Sequence, residues 1–230
     1  MSSPLALSPH ARLVTDLFGT EQQPIACIDE ALPDPQAVVN IAARHDFRPI
    51  GPFYPGVRAA VSQQVAMPLV QPLLPLLEQT FGLSRPSQFL ECFLSLITVQ
   101  AADLKPIQRF PHFDGVEESR LAVLLYLDQA ETTGTAFYRQ RATGFESVDA
   151  ERLDEYRTRL EREVAHHGLP EAGYIGTESA LFERIFTVAG RFNRMVIYRG
   201  NALHCADVPA GFVPEKDPRK GRLTLNLFLR

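Results

Sequence analysis

The sequence predicts a mainly β domain with flanking helices (α+β), in which an antiparallel sandwich or barrel occupies the C-terminal part of the chain. Five apolar runs of strand length follow Glu91, and turn residues bound each of them. Several runs alternate apolar and polar residues with period 2, as strands with one buried face do. These runs comprise residues 91–100, 120–129, 135–142, 193–200 and 221–229.

The length and composition favour one domain. The chain has 230 residues, of which 45% are hydrophobic and 22% charged, and these values suit a globular domain with one sizeable core. We therefore expect residues 1–230 to form a single domain. Residues 1–90 would supply helical and loop support, and residues 91–230 would form the β core with a helical insertion.

The N-terminal support contains two helical patterns and one loop. Residues 34–46 predict a short helix, because Asp34 can cap it and Pro35 suits its first position. Residues 47–58 are rich in proline and glycine, which indicates an ordered loop rather than a helix or a central strand. Residues 67–81 predict a helical stretch that its prolines must kink or interrupt.

The helical insertion spans about residues 143–192 and separates the third predicted strand from the fourth. Within it, Ser147 or Asp149 can cap an amphipathic helix that runs to His167 and stops at Gly168. The insertion is interpreted either as a lid over a site or as an outer structural layer.

Charge and cysteine usage exclude several classes of function. The net charge is −4 and the sequence contains no basic patch, so we expect no nucleic-acid partner. No apolar run approaches the roughly 20 residues that span a bilayer, and the N-terminus lacks a signal-peptide pattern. We therefore expect a cytoplasmic protein with no membrane partner, and its oligomeric state stays open. Neither a disulfide framework nor a CxxC zinc site fits the three distant cysteines, Cys27, Cys92 and Cys205.

Two histidines and one aspartate are the candidate metal ligands. His112 and Asp114 follow the first strong strand, and their i, i+2 spacing places both side chains on one face of an extended chain. His204 follows the strand at residues 193–200. Two imidazoles and one carboxylate suffice for a facial non-haem iron(II) site with three open positions. The alternatives are a surface turn at residues 112–114 and a partly buried His204 that bonds to the backbone.

The last strand carries a candidate anion site. Arg222, Thr224 and Asn226 fall on one face of it, and alternate leucines fall on the other. A guanidinium inside a barrel is costly unless it binds an anion, and an adjacent hydroxyl suits a carboxylate. The alternative is an amphipathic edge strand with a solvated arginine. Other cations could reach the anion instead, namely Lys216, Arg219 and Lys220.

Further motifs fall between these sites. Arg120, YLD at residues 126–128 and GTAF at 134–137 follow the HFD motif, and LHCADVPAG and GRLTL come later. In this order they resemble the iron(II)/2-oxoglutarate-dependent oxygenases, most of all the prolyl-hydroxylase-like branch. PHFD, GTAFYR and FNRMVIYRGNALH also resemble a bacterial family of uncharacterised oxygenase-like proteins. The resemblance covers about residues 91–229.

The resemblance implies a double-stranded β-helix, or jelly roll, and an oxygenase site. The implied ligands of iron(II) are His112, Asp114 and His204. The implied partners of the distal 2-oxoglutarate carboxylate are Arg222, Thr224 and Tyr126. Tyr126 is equally interpreted as an aromatic residue of the core.

The implied reaction uses dioxygen to hydroxylate a substrate while 2-oxoglutarate is decarboxylated to succinate. The substrate class stays open among a small molecule, an amino acid and a protein side chain. Two alternatives remain. One is a cupin-like metal enzyme that does not use 2-oxoglutarate, and the other is a non-catalytic jelly-roll binding or sensing protein. Tyr54, Gly56 and Arg58 in the proline-rich loop are further candidates to border a pocket.

Overall fold

A computed structural model describes residues 4–83, 87–176 and 179–230, which form ten strands and four α-helices. The strands are β1 (Arg12–Phe18), β2 (Gln23–Asp29), β3 (Gly56–Ala60), β4 (Phe89–Ile97), β5 (Leu121–Tyr126), β6 (Gly134–Gln140), β7 (Phe182–Ala189), β8 (Met195–Arg199), β9 (His204–Asp207) and β10 (Leu223–Leu229). The helices are α1 (Pro35–Ala42), α2 (Gln63–Val70), α3 (Leu74–Thr80) and α4 (Leu153–His167).

The strands form two antiparallel sheets. The larger sheet has seven strands in the order β1-β2-β8-β5-β10-β4-β3, and the smaller has three in the order β7-β6-β9. The five predicted strands are β4, β5, β6, β8 and β10, so the mainly β prediction is confirmed.

The two faces of β10 divide as the alternation predicts. Its leucines, such as Leu225, are fully buried in a cluster that also contains Val39 of α1 and Leu77 of α3. The helices therefore cover the outer face of the larger sheet, where each buried leucine stabilises the fold by about 1.5–3 kcal/mol. Phe228 lies on the opposite face and packs in a cluster with Phe137 of β6. That face looks towards the smaller sheet.

The predicted helices are present with shifted ends. Asp34 accepts a hydrogen bond from the Ala37 N–H at 3.0 Å and caps α1, as predicted, although α1 ends at Ala42. The second pattern is a broken pair, α2 and α3, joined by a 3₁₀ turn at Gln71–Leu73. In the insertion, Asp149 closes a turn before α4, which begins at Leu153. No helix in the described ranges is both long and apolar enough to cross a bilayer.

Two parts of the element prediction were wrong. Residues 1–90 contribute three strands to the larger sheet and are more than helical and loop support. The insertion at 143–192 holds strand β7 as well as α4, and its residues 177–178 lie outside the described residues.

Strand β9 was also missed. β1 gives no alternating signal because it is an edge strand, exposed along most of its length.

Strand β3 begins where the proline-rich loop ends. At Gly56 a Cβ would lie 2.0 Å from the Leu96 carbonyl oxygen, so only glycine permits the pairing of β3 with β4. The structure therefore shortens the predicted loop at 47–58 and adds an edge strand to the larger sheet.

Candidate metal centre

Backbone pairing holds the three candidate metal ligands together. The His112 and His204 backbones exchange two hydrogen bonds, each 2.8 Å from nitrogen to oxygen. The Asp114 N–H donates to the Gly200 carbonyl at 2.6 Å. The segment at 112–114 is thus fixed against the turn and strand that carry His204.

The ligating atoms of these side chains converge. One nitrogen or oxygen atom from each of His112, Asp114 and His204 lies within 4.8 Å of the others. His204 Nε2 is 3.6 Å from Asp114 Oδ2, and His112 Nε2 is 3.9 Å from Asp114 Oδ1. Phe113 turns away and packs edge-on against Tyr156 of α4, as the i, i+2 spacing predicts.

The second nitrogen of His204 fixes its tautomer. Nδ1 lies 2.9 Å from the Ala202 carbonyl oxygen, which can only accept a hydrogen bond. Nδ1 therefore donates to this carbonyl, and Nε2 is directed to the side of Asp114. The His204 side chain is buried, so this orientation is held within the protein.

The local charges suit a cation between these groups. Asp114 Oδ2 is buried, with no hydrogen-bond partner among the described residues. Burial raises the pKa of Asp114, and the charges of His204, Arg120 and Arg58 oppose that rise. Solvent reaches half of the His112 side chain. The pKa of His112 is nevertheless well below its ordinary value, because the surrounding cleft desolvates the ring and because the charge of His204 acts in the same direction. Two imidazoles beside a carboxylate with an unused oxygen fit a divalent metal ion.

Arg222 lies buried on the inner side of the larger sheet. Its side chain donates from Nη2 to the Gly134 carbonyl at 2.7 Å, and its Nε has no partner in the part of the chain that the structure describes. Thr224 is fully buried, and its hydroxyl donates to Asn226 Oδ1 at 2.7 Å. The alternative cations are all exposed, namely Lys216, Arg219 and Lys220.

Tyr126 lies opposite Thr224 in the register of β5 and β10. Its hydroxyl is 2.7 Å from the Thr135 hydroxyl of β6, so it joins the two sheets. Burial raises the pKa of Tyr126, and the nearby charge of Arg222 acts in the opposite direction. The structure thus makes Tyr126 a core aromatic residue that also lies close to Arg222.

Tyr198 connects the metal centre with Arg222. Its ring centroid is 4.8 Å from that of His204. Burial raises its pKa, the charge of Asp114 raises it further, and the charge of Arg222 opposes both. Asp114 and Arg222 are therefore both near enough to Tyr198 for their charges to act on its hydroxyl.

Tyr54 and Arg58 join this inner surface. Arg58 pairs with Ser95 across β3 and β4, and Ser95 pairs with Thr224 across β4 and β10, so all three share a row on one face. Tyr54 reaches the row from the preceding loop, and its ring centroid lies 4.2 Å from the Arg58 guanidinium. Sequence reasoning named Tyr54 and Arg58 only as a possible pocket border, because the face of Arg58 depends on a strand it did not predict.

The insertion also reaches the site. Tyr174 donates from its hydroxyl to the Val99 carbonyl at 2.7 Å and packs against Phe212. Burial raises the pKa of Tyr174, and the charges of Tyr54 and Arg222 act on it as well. Phe212 lines a small cavity together with Arg222, so this part of the insertion lies close to that arginine.

Comparisons with known proteins give a family match. A family model described as DUF6445, a family of unknown function, matches residues 9–229. A search of curated proteins finds no match to the chain.

Several solved structures show distant similarity. The non-haem alpha-ketoglutarate-dependent epimerase SnoN from nogalamycin biosynthesis has 14% identity and a TM-score of 0.47, over 91% of this chain and 78% of that one. HygX from Streptomyces hygroscopicus, with nickel and 2-oxoglutarate bound, has 13% identity and a TM-score of 0.44, over 91% and 83%. An N-substituted L-amino acid dioxygenase from Burkholderia ambifaria AMMD has 9% identity and a TM-score of 0.45, over 95% and 94%. Similarity at this level fixes neither the fold nor the activity of this chain.

Proposed function

We propose an activity for this chain, which belongs to the DUF6445 family of unknown function. It is an iron(II)/2-oxoglutarate-dependent oxygenase of the jelly-roll fold, which oxidises a substrate while converting 2-oxoglutarate to succinate. One observation carries the proposal. The ligating atoms of His112, Asp114 and His204 converge, and Arg222, a buried cation that forms no ion pair among the described residues, donates to Gly134 of the facing sheet.

Three side chains would hold the metal. His112 and His204 offer imidazole nitrogens, and Asp114 offers an oxygen that has no other partner among the described residues. Bound there, iron(II) would supply dioxygen activation at the positions that three protein ligands leave open. The chain contributes orientation, because Ala202 fixes the tautomer of His204.

Aromatic side chains limit the access of water behind the metal centre. The ring of Tyr198 lies 4.8 Å and that of Phe137 lies 6.2 Å from the ring of His204. Both aromatic residues are almost fully buried. The open side of the centre is the one that exposes His112, so we expect substrate to approach there.

Arg222 would bind the distal carboxylate of 2-oxoglutarate. A buried guanidinium without a carboxylate partner is costly, and a bidentate carboxylate offsets that cost. The hydroxyl groups of Thr224 and Tyr126 lie on the same inner face and would complete the pocket. A metal enzyme that does not use 2-oxoglutarate would leave the unused Nε of Arg222 unexplained, so this observation favours the 2-oxoglutarate reaction.

A visible charge-transfer band tests the proposal. Anaerobic protein given iron(II) and 2-oxoglutarate should develop the band, because the keto acid would chelate a metal held by His112, Asp114 and His204. The His204→Ala variant should remain folded, bind iron(II) about a hundredfold more weakly and lose the band. The matched control is His166→Ala, since His166 is an exposed histidine at the end of α4.

The outcome is decisive in either direction. Absence of the band in wild-type protein that holds one equivalent of iron(II) contradicts the use of 2-oxoglutarate. Unchanged iron affinity in His204→Ala contradicts the assigned metal ligands. Equal losses in the His166→Ala control would show that histidine removal acts through stability instead.

A further inference from the structure

Arg58 is the second inward-facing arginine of the larger sheet. It lies on edge strand β3, opposite Ser95, in the row that continues to Thr224. Two aromatic rings lie against its guanidinium, with centroids at 4.2 Å for Tyr54 and 5.2 Å for Phe93. These contacts hold the charged group in place and leave its in-plane N–H groups for another partner.

No carboxylate neutralises Arg58 directly. Within residues 4–83, 87–176 and 179–230 it forms no ion pair, and its buried Nε has no hydrogen-bond partner. Asp114 and Glu91 act on it only at longer range, and burial lowers its pKa. Arg120, which also lies near Asp114, differs because it has Glu91 at 3.7 Å. Arg58 is therefore a largely desolvated cation without a counter-ion.

The position of Arg58 separates it from the proposed 2-oxoglutarate pocket. Its charge acts on Asp114 and His112, and its register with Ser95 places it on the inner face of the larger sheet. Strand β4 lies between β3, which carries Arg58, and β10, which begins next to Arg222, and the charges of both arginines act on the Tyr54 phenol. The inner surface thus offers two cations, and 2-oxoglutarate needs only one of them for its distal carboxylate.

We propose that Arg58 binds a carboxylate of the primary substrate, so that the molecule oxidised at this site is a carboxylic acid. This inference rests on the proposed function and names its substrate class. One planar guanidinium flanked by aromatic rings suits a planar monoanion that accepts two parallel hydrogen bonds. The carboxylate would anchor the substrate beside the exposed edge of His112, with the remainder of the molecule towards the metal centre.

A matched pair of probes tests this inference without knowledge of the natural substrate. Benzoate carries the carboxylate, and benzamide has nearly the same shape without the charge. The full chain is loaded with nickel(II) and 2-oxoglutarate, which prevents turnover, and paramagnetic relaxation of the probe ring protons is measured. We expect benzoate to bind about tenfold more tightly than benzamide, because its bonds to arginine are charge-assisted.

Variants of Arg58 localise the effect. Arg58→Gln should remove the preference for benzoate while the iron(II) and 2-oxoglutarate band keeps its affinity, and Arg58→Lys should retain part of the preference. Arg48→Gln is the matched control, because Arg48 is the exposed bridge partner of Arg58. If neither Arg58 variant folds, equal binding of the two probes to wild-type protein would still overturn the inference, and Arg58→Met, which keeps an unbranched side chain of similar length without the charge, takes the place of Arg58→Gln.

Several results would overturn the inference. These are equal relaxation of the two probes, no relaxation of benzoate in wild-type protein, or an unchanged preference in Arg58→Gln. A parallel loss of 2-oxoglutarate affinity in Arg58→Gln would assign Arg58 to the cosubstrate instead. Absence of the charge-transfer band in wild-type protein contradicts the proposed function alone, and the probe pair can then be measured on metal-loaded protein without 2-oxoglutarate.

Discussion

Arginines in two regions of this protein differ in what their guanidinium groups bind. In the first region, here termed the clamp (Thr20, Glu21, Arg139, Glu146 and Arg152), acidic side chains satisfy the cations. Arg139 bonds to Glu146, and Arg152 lies 2.6 Å from Glu21. The Glu146 carboxylate is fully buried and also accepts the backbone N–H groups of Thr20 and Glu21 at 3.0 Å.

The second region is the inner cleft, where Arg58 and Arg222 form no ion pair among the described residues, although the charges of Asp128 and Arg222 act on each other at longer range. In the clamp only the Glu146 carboxylate is fully buried and the arginine side chains are partly exposed, whereas in the cleft Arg222 itself is buried. The clamp offsets the desolvation cost of its charges within the chain, whereas the cleft leaves that cost for a ligand. Arginines of the clamp should therefore govern stability, and those of the cleft should govern binding.

Removal of Glu146 is the largest expected effect and tests the structural half of this comparison. Glu146→Ala should lower the free energy of unfolding by about 3 kcal/mol, because Arg139 and two backbone N–H groups lose their acceptor. Urea unfolding measures this change. The Glu146 carboxylate also packs closely on the turn at Gly19, where a Cβ would lie 2.0 Å from Glu146 Oε2.

Glu183→Ala is the matched control for this prediction. Glu183 is the other acidic partner of Arg139, at 3.1 Å, but nearly half of its side chain is exposed. Its removal should change stability by less than about 1 kcal/mol, because exposed ion pairs contribute little. Equal effects of the two variants would contradict the view that burial makes the clamp a stabilising element.

Replacement of Arg222 tests the binding half of the comparison. Arg222→Leu should weaken 2-oxoglutarate binding by about tenfold or more, because a charge-assisted bond is worth about 1.5–3 kcal/mol. Its unfolding free energy should change by less than about 1 kcal/mol, since loss of the bond to Gly134 is offset by removal of a buried cation. Anaerobic titration of the visible band and urea unfolding measure the two quantities.

Arg219→Leu controls for the loss of positive charge, because Arg219 is exposed and lies 3.5 Å from Asp217. It should leave 2-oxoglutarate affinity unchanged. If Arg222→Leu instead unfolds as readily as Glu146→Ala and keeps its 2-oxoglutarate affinity, Arg222 belongs with the arginines of the clamp.

Residues of the inner cleft also show what a local sequence pattern can predict, namely the face of a strand on which a side chain lies. The alternation along β10 assigned Arg222 and Thr224 to the inner face, because a strand's own period fixes its two faces. The HFD motif placed His112 and Asp114 on one side of the chain for the same reason. These predictions needed no knowledge of which strands pair.

A local sequence pattern does not show which distant segments pair, so residues placed by such pairing were not predicted. Arg58 follows a run of prolines and lies on a five-residue edge strand, so no alternation revealed its face. Only its register with Ser95 places it beside the site. The clamp was equally hidden, because Glu21 and Glu146 are 125 residues apart where they meet. Likewise, the approach of His204 to Asp114 depends on a backbone bridge across the two segments.

The pair of Asp29 and Arg194 offers a smaller, pH-dependent test of the same distinction. Arg194 donates to both oxygens of Asp29, at 2.6 and 2.8 Å, and thereby ties β2 to the residue before β8. These hydrogen bonds lower the pKa of Asp29 below its ordinary value. The pair therefore stabilises the fold above the pKa that Asp29 has in the unfolded chain, about 3.9, and this contribution is lost as pH falls through the lower pKa of the folded state.

Asp29→Asn should lower the free energy of unfolding by about 1 kcal/mol at pH 7, because a partly exposed ion pair contributes little more than that. The deficit should shrink below about pH 4, where wild-type Asp29 also becomes neutral. Urea unfolding at several pH values measures the profile, with the exposed Asp46→Asn variant as a control for net charge. A deficit that stays constant with pH would contradict an ionic origin. Arg194 would then differ from the arginines of the clamp, because an arginine satisfied within the chain should lose its contribution when its carboxylate is protonated.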